Sequence, residues 1–278
     1  MTASLITRIR PLPAALLCLA SSGAAALEAD PVPADTAPTA WEGAIGLIAS
    51  YRPEYQGGDK ARFKVTPALF LRYGRLTVTN ASGFATRRAD DVARGLALDL
   101  VQGDRLRVNA ALRVDAGRSE ATSSELTGMG DIKPTVRVRV NASYRLDGPW
   151  RVGMAWNADL LGRGGGNGGD LGVVWEHRPT AKTVLTVGAS LSVAGDRFMQ
   201  THYGVSEAQA ARSGYPVYTP GSGLRDMSIN TNLRHDIGED WIVLAGAGTS
   251  RLLGPAAASP LTHSRSGWGV NAGFARRF

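Results

Sequence analysis

From residue 105 to residue 117, apolar and polar side chains alternate almost without a break, and this period of two recurs along most of the chain. Leu106, Val108, Ala110, Leu112, Val114 and Ala116 share one face; Arg105, Arg107, Asn109, Ala111, Arg113 and Asp115 share the other. The stretch 135–146 repeats the pattern. Val136, Val138, Val140, Ala142, Tyr144 and Leu146 oppose Thr135, Arg137, Arg139, Asn141, Ser143 and Arg145. Such alternation makes an extended strand with one apolar and one wet face. A soluble sandwich and a membrane barrel both use strands of this kind, so length has to separate them. Many of these segments run for 10 to 13 residues. Soluble strands average about 5–6 residues, whereas a tilted strand needs about 9–11 to cross a bilayer.

Twelve segments fit the pattern: 41–51, 63–73, 75–83, 93–101, 105–117, 135–146, 149–161, 169–178, 182–193, 226–237, 240–251 and 266–278. The segments 75–83 and 93–101 carry the pattern most weakly, and 240–251 lacks a polar face. Connections alternate between short turns, such as Asp147-Gly148 and Gly238-Glu239, and long ones at 52–62, 84–92, 118–134, 162–168, 194–225 and 252–265. Transmembrane barrels of the outer-membrane type pair short periplasmic turns with long external loops. An even count leaves both ends of the barrel domain in the periplasm. Aromatic residues fall at segment ends, as Trp41 and Tyr51 or Phe63 and Tyr73 do, and Trp150 and Trp156 share the face of Val152 and Met154. Girdles at the two membrane interfaces place them so. In the last segment Trp268, Val270, Ala272, Phe274 and Phe278 share a face, with Arg276 the one polar member. The expected fold is all-β: an antiparallel up-and-down transmembrane β-barrel of about twelve strands over 41–278.

The N-terminus reads as an export signal over 1–26. Arg8 and Arg10 precede an apolar run from Leu12 to Ala20, and Ala24-Ala25-Ala26 offers a cleavage site. Cys18, the one cysteine of the sequence, lies inside that run. The mature chain is therefore expected to have neither disulfides nor thiol chemistry. Residues 27–40 are rich in Pro and Ala and read as a periplasmic linker. The formal charge of +7 falls to +5 without Arg8 and Arg10. The basic residues alternate with apolar ones instead of clustering among aromatics, which argues against nucleic acid as a partner. Lipid is the partner expected for the outer face, and the outer membrane the expected location.

Two blocks carry a family resemblance. One is His202-Tyr203-Gly204-Val205-Ser206-Glu207-Ala208-Gln209-Ala210-Ala211-Arg212-Ser213-Gly214-Tyr215-Pro216; the other is Tyr51-Arg52-Pro53-Glu54-Tyr55-Gln56-Gly57-Gly58-Asp59, followed by Pro67 and Tyr73-Gly74. Both resemble the MipA/OmpV family of outer-membrane proteins, with Gly58 standing where a small polar residue is expected. The resemblance runs from about Trp41 to Phe278. It implies scaffolding: the family's namesake links a periplasmic lytic transglycosylase to a bifunctional penicillin-binding protein at the peptidoglycan. Other members are discussed as porins or adhesins, so a small anion-preferring porin or a surface adhesin is the alternative. Independently of the family, Ser206 with Gln209 makes a capping box and Gly214-x-Pro216 a stop, which predicts a helix from Glu207 to Ser213.

Catalytic chemistry is not indicated. His177, His202, His235 and His263 lack metal-ligand spacing, and no nucleophile elbow or phosphate loop is present. The chain is not expected to be an enzyme, nor to hold a cofactor or metal. An outer-membrane lipase would set Ser beside His on the lipid face; His235 with Thr231 is a poor match. The glycine run Gly164 to Gly169, except for Asn167, reads as a flexible external loop. The remaining constellation is arginine: Arg105, Arg107 and Arg113 on one strand, Arg137, Arg139 and Arg145 on the next. These six are the candidate lumen-lining residues. They form either one side of salt bridges to Asp115, Asp159, Asp170 and Glu176, or a basic eyelet favouring anions.

Overall fold

The computed structural model describes residues 41–80 and 94–278, so the expected signal at 1–26, the linker at 27–40 and the expected connection at 84–92 lie outside the described residues. Twelve antiparallel strands form one closed barrel: β1 Glu42–Pro53, β2 Ala61–Tyr73, β3 Leu76–Thr79, β4 Gly95–Gln102, β5 Leu106–Asp115, β6 Thr135–Arg145, β7 Trp150–Asp159, β8 Asn167–Thr180, β9 Thr183–Ala194, β10 Gly223–Ile237, β11 Trp241–Leu252 and β12 Ser266–Arg277. Each strand pairs with its sequence neighbours, and β1 pairs with β12 from Ala44↔Arg277 to Tyr51↔Val270. Closure removes the free edges that hydrocarbon would otherwise leave unsatisfied.

Strand phase follows the alternation. Leu106, Leu112 and Val114 of β5 point outward and are exposed, while Asn109 and Ala111 point inward and are buried. On β6, Val140 and Tyr144 are exposed and Thr135, Arg137 and Ser143 buried. The outer surface is thus a continuous apolar belt. Aromatic pairs mark its two rims: Trp41 lies 5.0 Å from Tyr73 at the end with short turns, and Tyr51 lies 5.8 Å from Trp268 at the end with long loops. Phe278 exchanges backbone hydrogen bonds with Gly43 at 3.0 and 3.1 Å, so the last residue seals the seam.

One expectation needs correction, and two strand readings can be followed in detail. The third strand is seen as Leu76–Thr79, paired with β2 as far as Phe70↔Thr79, and residues 81–83 of the expected segment 75–83 lie outside the described residues. Asn80 extends the ladder by one step: its side chain accepts from Leu69 N at 2.8 Å and donates to Pro67 O at 2.9 Å. The correction concerns the glycine run near 164, which is not a free loop. Gly165 N and Leu161 N both donate to Asp159, and Gly166, at φ +56°, packs so closely that a Cβ would sit 2.5 Å from Phe198 N. β11 lacks a polar face, as the sequence indicates: its inward residues are Ile242, Leu244 and Leu252 with small residues between them. Ile242 and Leu252 are buried, and Leu244 packs against Ala44, Ala68, Phe70 and Ala275 at the turn end of the lumen.

Candidate functional site: the lumen and its loop cap

The long connections fold onto one another across the loop end. Connection 54–60 contributes Tyr55, whose hydroxyl reaches the Glu125 carboxylate at 2.7 Å and the Leu261 carbonyl at 3.0 Å. Gln56 follows, accepting from the Tyr203 hydroxyl at 2.8 Å and donating to Asp226 at 3.2 Å. Connection 195–222 holds two helices, α1 Asp196–Tyr203 and α2 Glu207–Ser213. The capping box of α2 is present as expected, and Gly214 closes it in the left-handed conformation. Gln209 and Arg212 of α2 donate to the Met129 and Gly128 carbonyls at 2.7 and 3.1 Å, fastening it to connection 116–134. Ser259 donates to the Tyr203 carbonyl at 2.6 Å, and Tyr218 to the Pro255 carbonyl at 2.8 Å, adding connection 253–265. Beneath these bonds lie Leu126, Met199, Val205 and Leu261, all essentially buried. Burying such side chains contributes about 1.5–3 kcal/mol each. The result is a cap with its own small core.

Nothing in the sequence marks α1, which no capping side chain opens. Its signal is tertiary: Met199 and Tyr203 bury against Ala194, Leu252 and Ala256. Near its C-terminus the His202 ring lies tilted by 30° against Phe198, with centroids 4.2 Å apart. Burial, with the nearby charge of Arg118, lowers the His202 imidazole to about 4, against a smaller opposing pull from Asp115. Burial raises the Tyr203 phenol, and burial together with the Glu125 carboxylate raises Tyr55. These groups are held in the neutral form inside the cap.

Below the cap, the six arginines named from the sequence divide. Arg137 is buried, 3.6 Å from Asp115 and hydrogen-bonded to Asn157. Arg139 lies 2.9 Å from Asp170 and donates to Asn141 at 2.7 Å. Arg107 is half-buried on the inward face and Arg113 is exposed there. Arg105 sits at the turn-end rim, 60% exposed and 2.9 Å from Asp147, and Arg145 is likewise exposed at that rim. The structure therefore does not gather the six into one eyelet. Further pairs fill the lumen elsewhere: Arg72 with Asp99 at 3.2 Å, Arg225 with Asp226 at 2.5 Å, and Asp236 between Arg234 and Arg277 at 3.1 and 2.9 Å.

A cavity of about 1060 Å³ remains inside the barrel. It runs from connection 54–60 down the inner walls of β1, β2 and β9–β12. Among the described residues its charged lining is Arg52, Lys64, Arg94, Arg151, Arg234 and Arg265 with the carboxylate of Glu54. The sequence could not single these residues out, since Arg52 and Lys64 look like any wet-face residue. On the lipid side, His235 Nδ1 lies 2.9 Å from the Thr183 hydroxyl, so the imidazole pairs across to β9 and not with Thr231. Among the described residues no group of His, Cys, Asp and Glu could hold a metal ion.

A closed twelve-strand barrel with an apolar outer belt, aromatic rims and a polar, charge-paired interior is a transmembrane barrel of the outer-membrane type. The sequence profile of the family described as MltA-interacting protein MipA matches residues 45–278, and the chain belongs to that family. Among solved structures, it overlaps OprB of Pseudomonas putida (9% identity, 86% of this chain and 93% of that one, TM-score 0.42). It likewise overlaps an anion-selective porin of Comamonas acidovorans (11% identity, 86% and 99%, TM-score 0.37) and a loop-deletion mutant of OmpT of Vibrio cholerae (10% identity, 86% and 98%, TM-score 0.39). Overlaps this loose carry no inference about function. No curated protein sequence matches the chain significantly.

Proposed function

We propose that this chain is an outer-membrane protein, with short turns toward the periplasm and capped loops outward, acting as a fixed platform for peptidoglycan enzymes. The family's description names an interaction with MltA, a lytic transglycosylase, which is the main support. A penicillin-binding protein is the second partner that the resemblance implies. The structural observation in its favour is the turn-end rim. Arg105, Asp147, Asp240 and Arg276 stand out of the barrel there with side chains 57% or more exposed. Such a rim suits electrostatic docking of a partner. Five short turns offer little area, and specific interfaces need about 800 Å² on each side, so the linker 27–40 completes the surface in this proposal. The test is retention of a lytic transglycosylase by the immobilised full-length protein. Asp147→Lys with Asp240→Lys, or removal of 28–38, should lower retention at least about tenfold, the equivalent of 1.4 kcal/mol. Removal of 206–216 should not. Wild-type retention by both rim and linker variants ends the platform reading.

A second reading, passage of small anions, is favoured by the basic cavity. In planar bilayers it requires anion-selective steps that weaken when Arg52 and Lys64 are neutralised. In both readings the barrel is not a catalyst; hydrolysis of a fluorogenic phospholipid by the refolded protein would overturn that.

A further inference from the structure

We propose that the loop-end half of the lumen is a binding site for a small anionic sugar, a solute carrying both a carboxylate or phosphate and several hydroxyls. The site deepens the anion-passage reading but does not require the lumen to conduct.

Charge is the first argument. In most of the interior each cation has an acid beside it: Arg72 with Asp99, Arg137 with Asp115, Arg139 with Asp170, Arg225 with Asp226, Arg234 with Asp236. The cavity wall at β1 and β2 breaks that rule. Arg52 and Lys64 face the cavity and form no ion pair among the described residues. Like charges gathered on one wall of a concave site, with low-dielectric strands behind them, focus a positive potential into it. A carboxylate or phosphate is the complementary group, and arginine binds either one through two parallel hydrogen bonds.

The second argument is the wall that continues from β1 through β12 to β10. Asn230, Asn232 and Asn271 line the same cavity. They lie against glycines: a Cβ on Gly246 would meet the amides of Asn232 and Asn271 at 2.8 Å, and one on Gly188 would meet Asn230 at 3.1 Å. Asn232 donates to Asn230 at 3.2 Å, so the two amides are held in line. Each amide offers donors and an acceptor, as do Ser50, Thr66, Thr186, Ser228 and Ser250 around them. Hydroxyl groups match that mixture; a purely apolar anion does not. A volume of about 1060 Å³ holds a mono- or disaccharide, at the upper end of the range for small-molecule sites.

Equilibrium dialysis of the refolded full-length protein against glucuronate, glucose 6-phosphate, glucose and inorganic phosphate tests this. At least one anionic sugar should bind at low salt, at least about tenfold more tightly than glucose or inorganic phosphate. Whether glucuronate or glucose 6-phosphate is retained fixes the anion. Arg52→Gln with Lys64→Gln should weaken binding about tenfold or more, whereas Arg139→Gln, on the acid-paired wall, should leave it unchanged. Heat-modified gel mobility confirms that each variant is folded. Equal binding of glucose and the anions, equal binding of inorganic phosphate, indifference to the Arg52/Lys64 pair, or no binding at millimolar ligand each overturns the proposal. Bilayer recordings on the same preparation separate the two claims: binding without conductance keeps the site and ends the passage reading.

Discussion

Replacing Val140 with arginine while leaving its neighbour alone, and replacing Arg139 with alanine in a second variant, tests the assignment of the two faces. Val140 is the sixth of the eleven residues of β6, exposed on the outer face beside Ala110 of β5 and Trp156 of β7. A guanidinium on the outer face near the bilayer midplane costs about 2–4 kcal/mol. Arg139, one residue away, points inward. Its removal loses the 2.9 Å ion pair with Asp170 and the 2.7 Å hydrogen bond to Asn141. Breaking a fully buried ion pair can cost about 3–5 kcal/mol, but here the partners are 31% and 24% exposed to the lumen. Asp170 also keeps the Ser192 hydroxyl at 2.8 Å and Arg225 at 3.8 Å. The remaining loss is about 1 kcal/mol. Urea unfolding in lipid vesicles, followed by tryptophan fluorescence, should place Val140→Arg well below wild type and Arg139→Ala close to it. If the two midpoints coincide, or Arg139→Ala is the lower, the face assignment is wrong.

Four further outcomes follow from the cap. Tyr55→Phe removes a hydroxyl that bridges Glu125 and the Leu261 carbonyl; the cap should lose about 1.5–3 kcal/mol, seen as faster hydrogen exchange over 116–134 and 253–265 with the strands unaffected. Leu126→Ala empties a fully buried position and should cost about 2–5 kcal/mol, with early proteolysis in the same connections. Gly166→Ala forces a Cβ onto the α1 backbone and should loosen that helix. Gly162→Ala, also at positive φ but in open space, should cost only about 1–2 kcal/mol by the same exchange measurement. His202 is held neutral by folding, so the unfolded cap binds its proton more readily. Cap stability should be full above about pH 6.5 and fall toward pH 4 by up to about 3 kcal/mol. His202→Gln should flatten that profile.

Eleven of the twelve strands lie within three residues of where alternation puts them, because each crosses the membrane alone and writes its two faces into sequence. The period fails where a strand's environment changes along its length. β3 can be followed as far as Thr79 opposite Phe70 of β2, where the Asn80 side chain takes over the contact with Leu69 and Pro67. β4 starts at Gly95 and slips register between Asp99 and Val101, so Leu100 and Val101 are both exposed. The cap was legible only at α2, whose signal is local: Ser206, Gln209 and Gly214 cap the same seven residues. α1 and the bonds of Tyr55, Tyr203 and Tyr215 join positions up to 206 residues apart, and no local period records them.

The arginines show why the lumen was the hardest part to read. Alternation says which residues face inward, but not which inward charges meet. Arg137 and Asp115 are brought together by the β5–β6 register, in which Asp115 stands opposite Thr135. Arg139 reaches Asp170 across β7, two strands away. Acids therefore reach Arg137 and Arg139 on the side of the barrel where the arginines are most numerous in sequence. The wall of β1 and β2 carries fewer cations but no such partners for Arg52 and Lys64. Positive potential depends on the local excess and not on the local count. The densest arginine pattern thus marks the electrostatically quieter wall, and the sparse pair Arg52 and Lys64 marks the wall where an anion gains most. Charge reversal should expose the asymmetry. Lys64→Glu should shift bilayer selectivity or anion retention strongly toward cations, whereas Arg107→Glu, on the wall already rich in carboxylates, should shift it little. Equal shifts from the two reversals would mean that the lumen averages its charges, and the site on β1 and β2 would lose its basis.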